Sequence, residues 1–285
     1  MKIRVRAALF LAALFSFSAG LSVAAPKPLP LFDTHVHYSR DAWGVFAPAQ
    51  ILKILAAAGV KRALVSSTPD EGTLKLHRAA PGRIVPILRP YRTRADVSGW
   101  TRSQEVFEYL SKRIGRGIYK GIGEFHILDE AGANTPQIKG LVRIAVRRNI
   151  VLQVHSGAGP VRALFAHHPK LKILWAHAGM SEPPEVVGRA MDKYKNLWAD
   201  VSFRAGDIAP GGKLDPAWRA LLMRHSDRFF CGTDTYITER WSFYGDLVAE
   251  HRVWLRQLPR EVAEKIAYRN AVRLFGRGYA AEFSE

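Results

Sequence analysis

Two histidines separated by a single residue stand at the end of a short apolar run near the start of the chain. The run is LFDTHVH, residues Leu31–His37, and the pair is His35 and His37. Because alternate side chains of an extended strand share a face, we expect Asp33 to point the same way as both histidines. Two imidazoles with a carboxylate behind them are typical of a divalent metal site. The alternative is a pair of ordinary histidines on a strand edge.

Further side chains that can bind a metal stand at the ends of other apolar runs. They are Glu124 in GIGEFH, His155 in VLQVH, His177 in LWAHAG and Asp234 in GTD. Each alone has an ordinary explanation, since a histidine can be a hydrogen-bonded structural residue and a glutamate can pair with an arginine. Buried together, these groups would be costly unless a cation compensated them. The joint pattern therefore predicts a metal centre formed by His35, His37, Glu124, His155, His177 and Asp234.

The spacing of these runs also predicts the fold that brings the side chains together. Eight apolar, β-rich runs end near His35, Ser67, Arg89, Glu124, His155, His177, Phe203 and Thr233, with helix-like segments between them. Continuous apolar strands alternating with helices are typical of a buried parallel sheet. Eight such units predict an α/β protein with a single-domain (β/α)8 TIM barrel, in which strand ends meet at one mouth. A doubly wound open sheet is the alternative, but a glycine-rich phosphate loop after the first strand is missing.

The beginning of the chain has the layout of a secretory signal. Lys2, Arg4 and Arg6 precede an apolar run over residues 7–21, and small residues follow at 22–25. The run is shorter than the roughly 20 residues that a membrane-spanning helix needs. We expect a signal peptide over residues 1–25, cleaved near Ala24, and one barrel domain over residues 26–285. The protein would then be periplasmic or secreted, without a membrane anchor; an uncleaved anchor is the alternative.

The composition limits the partners. The formal net charge is +17 at pH 7, of which the predicted signal contributes three positive charges. Such a charge favours acidic small molecules, anionic surfaces or nucleic acid. The basic residues are dispersed, and an RNA-binding motif or zinc finger is lacking, so we expect a small-molecule substrate and no nucleic acid. The single cysteine, Cys231, excludes an internal disulfide. A homodimer is left open.

Taken together, these motifs resemble the amidohydrolase superfamily of metal-dependent barrels. The segments LQVH, WAHAG and GTD, with the closing NAVRLF at residues 270–275, are most similar to amidohydrolase family 2, the branch of the aminocarboxymuconate-semialdehyde decarboxylase-like proteins. The resemblance implies that His35, His37, His155 and Asp234 bind the metal. It also implies that Asp234 accepts the proton of the attacking water. His177 would polarise the substrate or relay a proton at a mononuclear centre, and would bind a second metal at a binuclear one.

Glu124 departs from the mononuclear pattern of that branch. It is similar to the strand-4 glutamate that is a ligand in TatD-type deoxyribonucleases. Many binuclear relatives instead carry a carboxylated lysine on this strand, but Lys120 lies too early along it to serve. Glu124 is therefore the favoured ligand, and the metal count stays open between one and two. Zn²⁺ is the expected ion, with Mn²⁺ as the alternative.

The predicted activity is that of a metal-dependent hydrolase. A metal-activated water would attack a small, anionic ester, amide or lactone, with Asp234 and His177 as catalytic residues. Arg89, Arg92 and Arg204 are the predicted substrate-binding residues, because arginine binds carboxylates with two parallel hydrogen bonds. Their alternative role is to pair with acidic groups such as Glu124 or Asp207. Three alternative functions remain: a non-oxidative decarboxylase of the same family, a TatD-like deoxyribonuclease, and a non-catalytic periplasmic metal- or ligand-binding protein.

Overall fold

The computed structural model describes residues 28–276 and residue 283. The predicted signal peptide over residues 1–25 lies outside the described residues and stays a prediction. Within the described range, the helices fall short of the length and apolar character that crossing a bilayer requires.

The described chain forms eight parallel strands. They are β1 (Leu31–His37), β2 (Val60–Ser66), β3 (Ile84–Pro86), β4 (Gly121–His126), β5 (Val151–His155), β6 (Lys172–Trp175), β7 (Leu197–Asp200) and β8 (Phe229–Phe230). Strands β1 to β3 and β4 to β8 pair in chain order, and a parallel bridge between Leu88 and Ile122 joins the two sets. The ring is closed where Thr34 N donates to the Cys231 carbonyl at 3.0 Å. The predicted barrel is confirmed.

Helices follow the strands and cover the outside of the ring. They are α1 (Pro48–Ala57), α2 (Glu71–Ala79), α3 (Gln104–Ile114), α4 (Glu130–Ala133), α5 (Pro136–Arg148), α6 (Ala158–His167), α7 (Pro184–Lys193), α8 (Ala205–Ile208), α9 (Pro216–Arg224), α10 (Tyr244–Leu255), α11 (Arg260–Glu264) and α12 (Asn270–Phe275). Several have clear start signals, since the Ser103 and Thr135 side chains accept from backbone N–H groups of α3 and α5. Pro136 occupies the first turn of α5, where its missing N–H costs nothing.

Three strands end three residues earlier than the sequence predicts. Strand β3 ends at Pro86 rather than near Arg89, β7 at Asp200 rather than near Phe203, and β8 at Phe230 rather than near Thr233. After β7 and β8 the chain leaves the extended conformation, because Phe203 has a φ of 63° and Asp234 a φ of 54°. Asp234 therefore lies on a tight turn that follows its strand rather than on the strand itself.

The interior of the barrel is apolar below the mouth. Its inner cluster contains Phe32, Leu64, Val85, Ile87, Val151, Leu174 and Phe230, and Phe275 of α12 packs beneath them. Ring centroids of Phe32 and Phe275 lie 6.0 Å apart. A second cluster fills the layer between the strands and the outer helices. Polar side chains inside the barrel are thereby concentrated at the carboxyl ends of the strands.

The expectation for Asp33 is wrong. Phe32 belongs to the inner cluster, and a register shift between Asp33 and Val36 breaks the simple alternation along β1. The Asp33 carboxylate instead accepts hydrogen bonds from Thr233 Oγ1 at 2.6 Å and from the Tyr244 hydroxyl at 2.6 Å. It therefore links β1 to the segment after β8 and to α10, away from the histidine rings.

Removing the Tyr244 hydroxyl tests this link. We expect Tyr244→Phe to lower the free energy of unfolding by about 1.5–3 kcal/mol, the range for a hydrogen bond to a charged group. The matched control is Tyr236→Phe, whose side chain is 49% exposed and which should change stability by less than about 0.5 kcal/mol. Urea unfolding of both variants gives the comparison. Equal losses in the two variants would contradict the role given to Asp33.

Candidate metal centre

The six predicted ligands converge at the mouth of the barrel. His35 and His37 come from β1, Glu124 from β4, His155 from β5, His177 from the turn after β6 and Asp234 from the turn after β8. All are buried except His155, which is partly exposed. Lys120, by contrast, is exposed and precedes β4, so the lysine alternative lies at the wrong end of that strand.

The nitrogen and oxygen atoms on one side of the centre have the spacing of metal ligands. His37 Nε2 lies 3.2 Å from both Glu124 Oε2 and Asp234 Oδ1. His35 Nε2 lies 3.5 Å from Glu124 Oε2 and 3.7 Å from Asp234 Oδ1. Neighbouring ligands of a tetrahedral ion with bonds of about 2.1 Å are separated by about 3.4 Å. These four side chains therefore fit around one ion.

His177 approaches the same two carboxylates from a second side. Its Nε2 lies 3.4 Å from Glu124 Oε1 and 3.8 Å from Asp234 Oδ2. Each carboxylate thus turns one oxygen toward the histidines of β1 and the other toward His177. Carboxylates shared in this way are compatible with two neighbouring ions as well as with one.

The histidine rings are held so that their Nε2 atoms face the centre. The Nδ1 of His35 lies 3.1 Å from Asp200 Oδ2 and that of His177 lies 3.2 Å from the Ser202 carbonyl. The Ser202 hydroxyl also lies near both rings, but it donates its hydrogen to Asp200 Oδ1 and can therefore only accept from them. The proton of each of these two neutral rings is therefore on Nδ1, which leaves a lone pair at Nε2. His37 Nδ1 has both the carbonyl and the hydroxyl of Ser66 within reach, at 2.9 and 3.0 Å. Such partners orient histidine ligands in metal sites.

The centre contains buried polar atoms that lack a protein partner. Nε2 of His35, His37 and His177, together with Asp234 Oδ1, are buried and find no hydrogen-bond partner among the described residues. Unsatisfied buried groups of this kind are costly. A divalent cation would satisfy the three ring nitrogens and the carboxylate oxygen at once, so the donor set fits a metal ion.

Asp200 is the main residue of the centre that the sequence prediction missed. Besides accepting from His35, its carboxylate accepts from the backbone N–H of His177 (3.2 Å) and from Ser202 Oγ (2.5 Å). Burial alone would raise the pKa of Asp200, but the charge and the hydrogen bond of His35 lower it to about 2. The available signal was its place at the end of an apolar run, the same signal that identified the other ligands.

His155 reaches the centre through Glu124. Its Nδ1 lies 2.7 Å from Glu124 Oε1, and with His126 these two residues form a separate group of adjacent donor atoms. His126 was not predicted, although it lies two residues after Glu124 on the same strand. Burial lowers the pKa of His126 to about 4, so this imidazole is neutral at physiological pH.

Two of the three predicted substrate-binding arginines line the cavity above the centre, and both have acidic partners. Arg89 donates to Glu124 Oε2 at 3.0 Å. Arg92 binds both oxygens of Asp96 at 2.9 and 3.1 Å, and also Glu105. The pairing with acidic groups that the sequence left open is thus present at both positions.

Arg204 is placed behind the centre and does not line the cavity. Its guanidinium binds Asp207 at 2.6 Å and donates to the carbonyl oxygens of His177 and Glu182 at 3.2 and 2.9 Å. The turn that it contacts has positive φ at His177 (56°) and Ala178 (47°), a conformation that is costly for residues other than glycine. The contacts of Arg204 suit a role in holding this turn.

The centre lies at the base of a cavity of about 580 Å³. Its walls combine four arginines with apolar side chains: Arg40, Arg89, Arg92, Arg94, Val97, Met180, Phe203 and Tyr236. Arg94 pairs with Asp41. In the described part of the chain, Arg40 is the one arginine of this wall without a carboxylate partner, its guanidinium lying over the Trp43 ring at 5.7 Å.

Comparison with known proteins gives a family match and low-identity structural matches. The model of the amidohydrolase family matches residues 32–277, while no curated protein matches significantly. A TIM-barrel protein of Bordetella bronchiseptica is 14% identical over 88% of this chain and 99% of its own, with a TM-score of 0.60. A second solved structure is an Acinetobacter baumannii protein with citric acid bound, described as a candidate 2-pyrone-4,6-dicarboxylic acid hydrolase. It is 16% identical over 86% of this chain and 98% of its own, with a TM-score of 0.56.

A third solved structure is similar to the same extent. The 5-carboxyvanillate decarboxylase of Novosphingobium aromaticivorans, complexed with manganese and a nitrobenzoic acid, is 12% identical over 86% of this chain and 96% of its own (TM-score 0.56). At these identities the solved structures show the fold alone.

Counting bound metal ions tests the two-sided arrangement. We expect purified protein supplied with Zn²⁺ or Mn²⁺ to hold two ions per chain, and His177→Ala to hold one, because His177 faces its own pair of carboxylate oxygens. Elemental analysis against protein concentration gives the count, and His37→Ala serves as the control that weakens the first site. One ion, retained in His177→Ala, would instead make the centre mononuclear. The absence of any bound divalent ion in the wild type would contradict the metal centre itself.

The apparent metal affinity should depend on pH. Burial lowers the pKa of His35, but the carboxylates of Asp200, Asp234 and Glu124 more than reverse this and raise it well above its usual range. Burial lowers the pKa of His177 as well, but the adjacent Glu124 carboxylate more than reverses this and raises it. A raised pKa means that a proton competes more strongly with the metal ion for Nε2 of each ring, and metal binding must displace that proton.

Affinity should therefore fall as the pH is lowered from about 8 to about 6, where imidazoles titrate, and binding should release protons. Calorimetric titrations in two buffers of different ionisation enthalpy measure both quantities. An affinity that is constant over this range, with no proton release, would show that these imidazoles do not exchange a proton for the metal.

Proposed function

Because the chain belongs to the amidohydrolase family, whose model spans residues 32–277, we propose that it is a metal-dependent hydrolase acting on a small anionic ester, amide or lactone. One observation carries the proposal: three imidazole Nε2 atoms and a carboxylate oxygen are buried without hydrogen-bond partners and converge at the base of an open cavity. A structural histidine can leave one ring nitrogen unpaired, as His251 does at Nδ1, but a structural role gives no reason for several unpaired atoms to converge.

The ligands divide between the two sides of the centre. One ion would be held by His35, His37, Glu124 and Asp234. A second ion would lie next to His177, with His155 on the far side of Glu124. The bound ion supplies Lewis acidity, which polarises a substrate oxygen and makes water more acidic. The mixed nitrogen and oxygen donors suit Zn²⁺ and also Mn²⁺, and Mn²⁺ is the ion named in the similar decarboxylase structure.

Asp234 is the residue placed to accept a proton. It lines the cavity while its Oδ1 faces His37, so the carboxylate borders both the ligands and the space for substrate. Burial would raise the pKa of Asp234, but the charge of His35 and the nearby His37 ring lower it below its usual range. The carboxylate is thus ionised at neutral pH, as a general base must be.

The cavity wall supports an anionic substrate. Arg89, Arg92 and Arg94 already have carboxylate partners, which offset their charge. The guanidinium of Arg40 lacks one in the described chain and lies at the same wall. Arg40 is therefore better placed than the predicted arginines to bind a substrate carboxylate through two parallel hydrogen bonds.

A non-oxidative decarboxylase is the second candidate. Three of the solved structures with this fold are of 5-carboxyvanillate decarboxylases, and a basic wall beside a metal centre also suits an acid that loses CO₂. Export to the periplasm or the medium stays part of the proposal, since the signal peptide lies outside the described residues.

Turnover of paired substrates tests the function. We expect metal-loaded protein to hydrolyse carboxylate-bearing esters or lactones, and Asp234→Asn to lower kcat by about 10²–10⁴-fold, the range for loss of a general base. Arg40→Ala should raise KM for the charged ester by about tenfold and leave a neutral analogue unchanged, because one charge-assisted contact is lost. Arg94→Ala, whose charge is already paired, is the matched control.

The products separate the alternatives. Release of CO₂ from carboxylated acids without ester hydrolysis would favour the decarboxylase. Cleavage of DNA that falls steeply with added salt would favour the nuclease. Metal-loaded protein that acts on none of these substrates would leave the non-catalytic binding protein.

A further inference from the structure

A fifth histidine at the mouth has a different environment from the three whose Nε2 atoms face the centre. His126 ends β4 and lines the cavity, and its ring centroid lies 4.3 Å from that of His155. Its donor atoms lie close to those of Glu124 and His155, which by proximity alone would make it a metal ligand. The hydrogen bonds around its ring indicate another role.

The Tyr91 hydroxyl makes two contacts with His126. It accepts from the backbone N–H of His126 at 2.8 Å and lies 2.9 Å from Nδ1 of the ring. Tyr91 is fully buried, and its hydroxyl has no other partner in the described chain. Burial also raises the pKa of Tyr91 above its usual range, so the hydroxyl keeps its proton.

The count of hydrogens decides which atom donates. A tyrosine hydroxyl has one hydrogen to donate, and only His126 Nδ1 is in reach to accept it. If Nδ1 donated instead, the Tyr91 hydrogen would be buried without an acceptor, at a cost of about 1–3 kcal/mol. Tyr91 therefore donates to Nδ1, which places the ring proton of His126 on Nε2.

This assignment is opposite to that of His35 and His177 at the centre. Those rings have a carboxylate or carbonyl oxygen against Nδ1, so each has a lone pair at Nε2. His126 has a hydroxyl that must donate, so its Nε2 is an N–H group, which cannot bind a cation. The Nε2 atom has no partner among the described residues and is not among the buried unpaired atoms, which leaves it accessible from the cavity.

We infer that His126 is a hydrogen-bond donor to the substrate rather than a metal ligand, with Tyr91 as the residue that positions it. The backbone is fixed as well, because Trp100 Nε1 donates to the His126 carbonyl at 2.8 Å. An N–H group held in place can stabilise negative charge that develops on a substrate oxygen without reorganising. The identity of that oxygen rests on the proposed hydrolytic function, whereas the position of the proton does not.

The proton position can be measured without turnover. In Zn²⁺-loaded protein labelled with ¹⁵N-histidine, long-range ¹H–¹⁵N spectra should show His126 as the Nε2–H tautomer, with the signals assigned from His126→Gln. Tyr91→Phe removes only the hydroxyl and should move the ring toward the Nδ1–H tautomer. A wild-type His126 that is protonated on Nδ1 alone, or unchanged in Tyr91→Phe, would overturn the inference.

Metal content separates a donor from a ligand. His126→Gln should hold as many ions as the wild type, while His37→Ala holds fewer. Loss of one ion in His126→Gln would make His126 a ligand and overturn the inference.

Kinetics on the ester that the wild type hydrolyses tests the contact with substrate. His126→Ala should lower kcat/KM by about tenfold to a hundredfold, the effect of losing one hydrogen bond, and His126→Gln should recover part of it through its amide N–H. His168→Ala, outside the cavity, is the control. An unchanged kcat/KM in His126→Ala would overturn the role. If no substrate is turned over, the proposed function fails, while the tautomer and the metal content still decide the assignment of His126.

Discussion

Two carboxylates are buried within 4 Å of three imidazole nitrogens at the mouth of the barrel, and the other features of the site follow from this constraint. Glu124 and Asp234 are almost fully shielded from solvent, and charged groups in such a place are costly unless each is compensated. Arg89 offsets part of the charge of Glu124. Asp200, itself buried, is compensated by His35. A divalent ion would supply the compensation that these protein contacts leave open.

Barrel closure is what brings the two carboxylates together. Asp234 follows the last strand and reaches the first through a backbone hydrogen bond of 2.7 Å to the His35 carbonyl. The neighbouring contacts of Asp33 with Thr233 and Tyr244 join the same two strands and the following helix. Asp33 thus contributes to the site through the geometry of the closure, and its carboxylate contacts His35 through the backbone N–H, at 3.0 Å, rather than through the imidazole ring.

Strand-end positions were the part of the site that could be predicted. A parallel barrel places the carboxyl ends of its strands at one mouth, so the order of apolar runs was enough to bring His155 and His177 together. The inward or outward direction of Asp33 could not be predicted. It depends on a register shift and on a hydrogen bond to a residue 200 positions away, and local alternation contains no information about either. Asp200 was missed because its run was judged to end later, at Phe203.

The sequence by itself determined the fold class, the residue types at the strand ends and the resemblance to a metal-dependent family, because these depend on local patterns. Only the tertiary structure decided which protons the histidines hold and which cations are free. His35 and His126 acquire opposite tautomers, since Asp200 presents a carboxylate to His35 whereas Tyr91 presents a hydroxyl to His126. Likewise, Arg40 has no acidic partner within residues 28–276. These properties are set by contacts between segments far apart in the chain, and such contacts exist only after the barrel has closed.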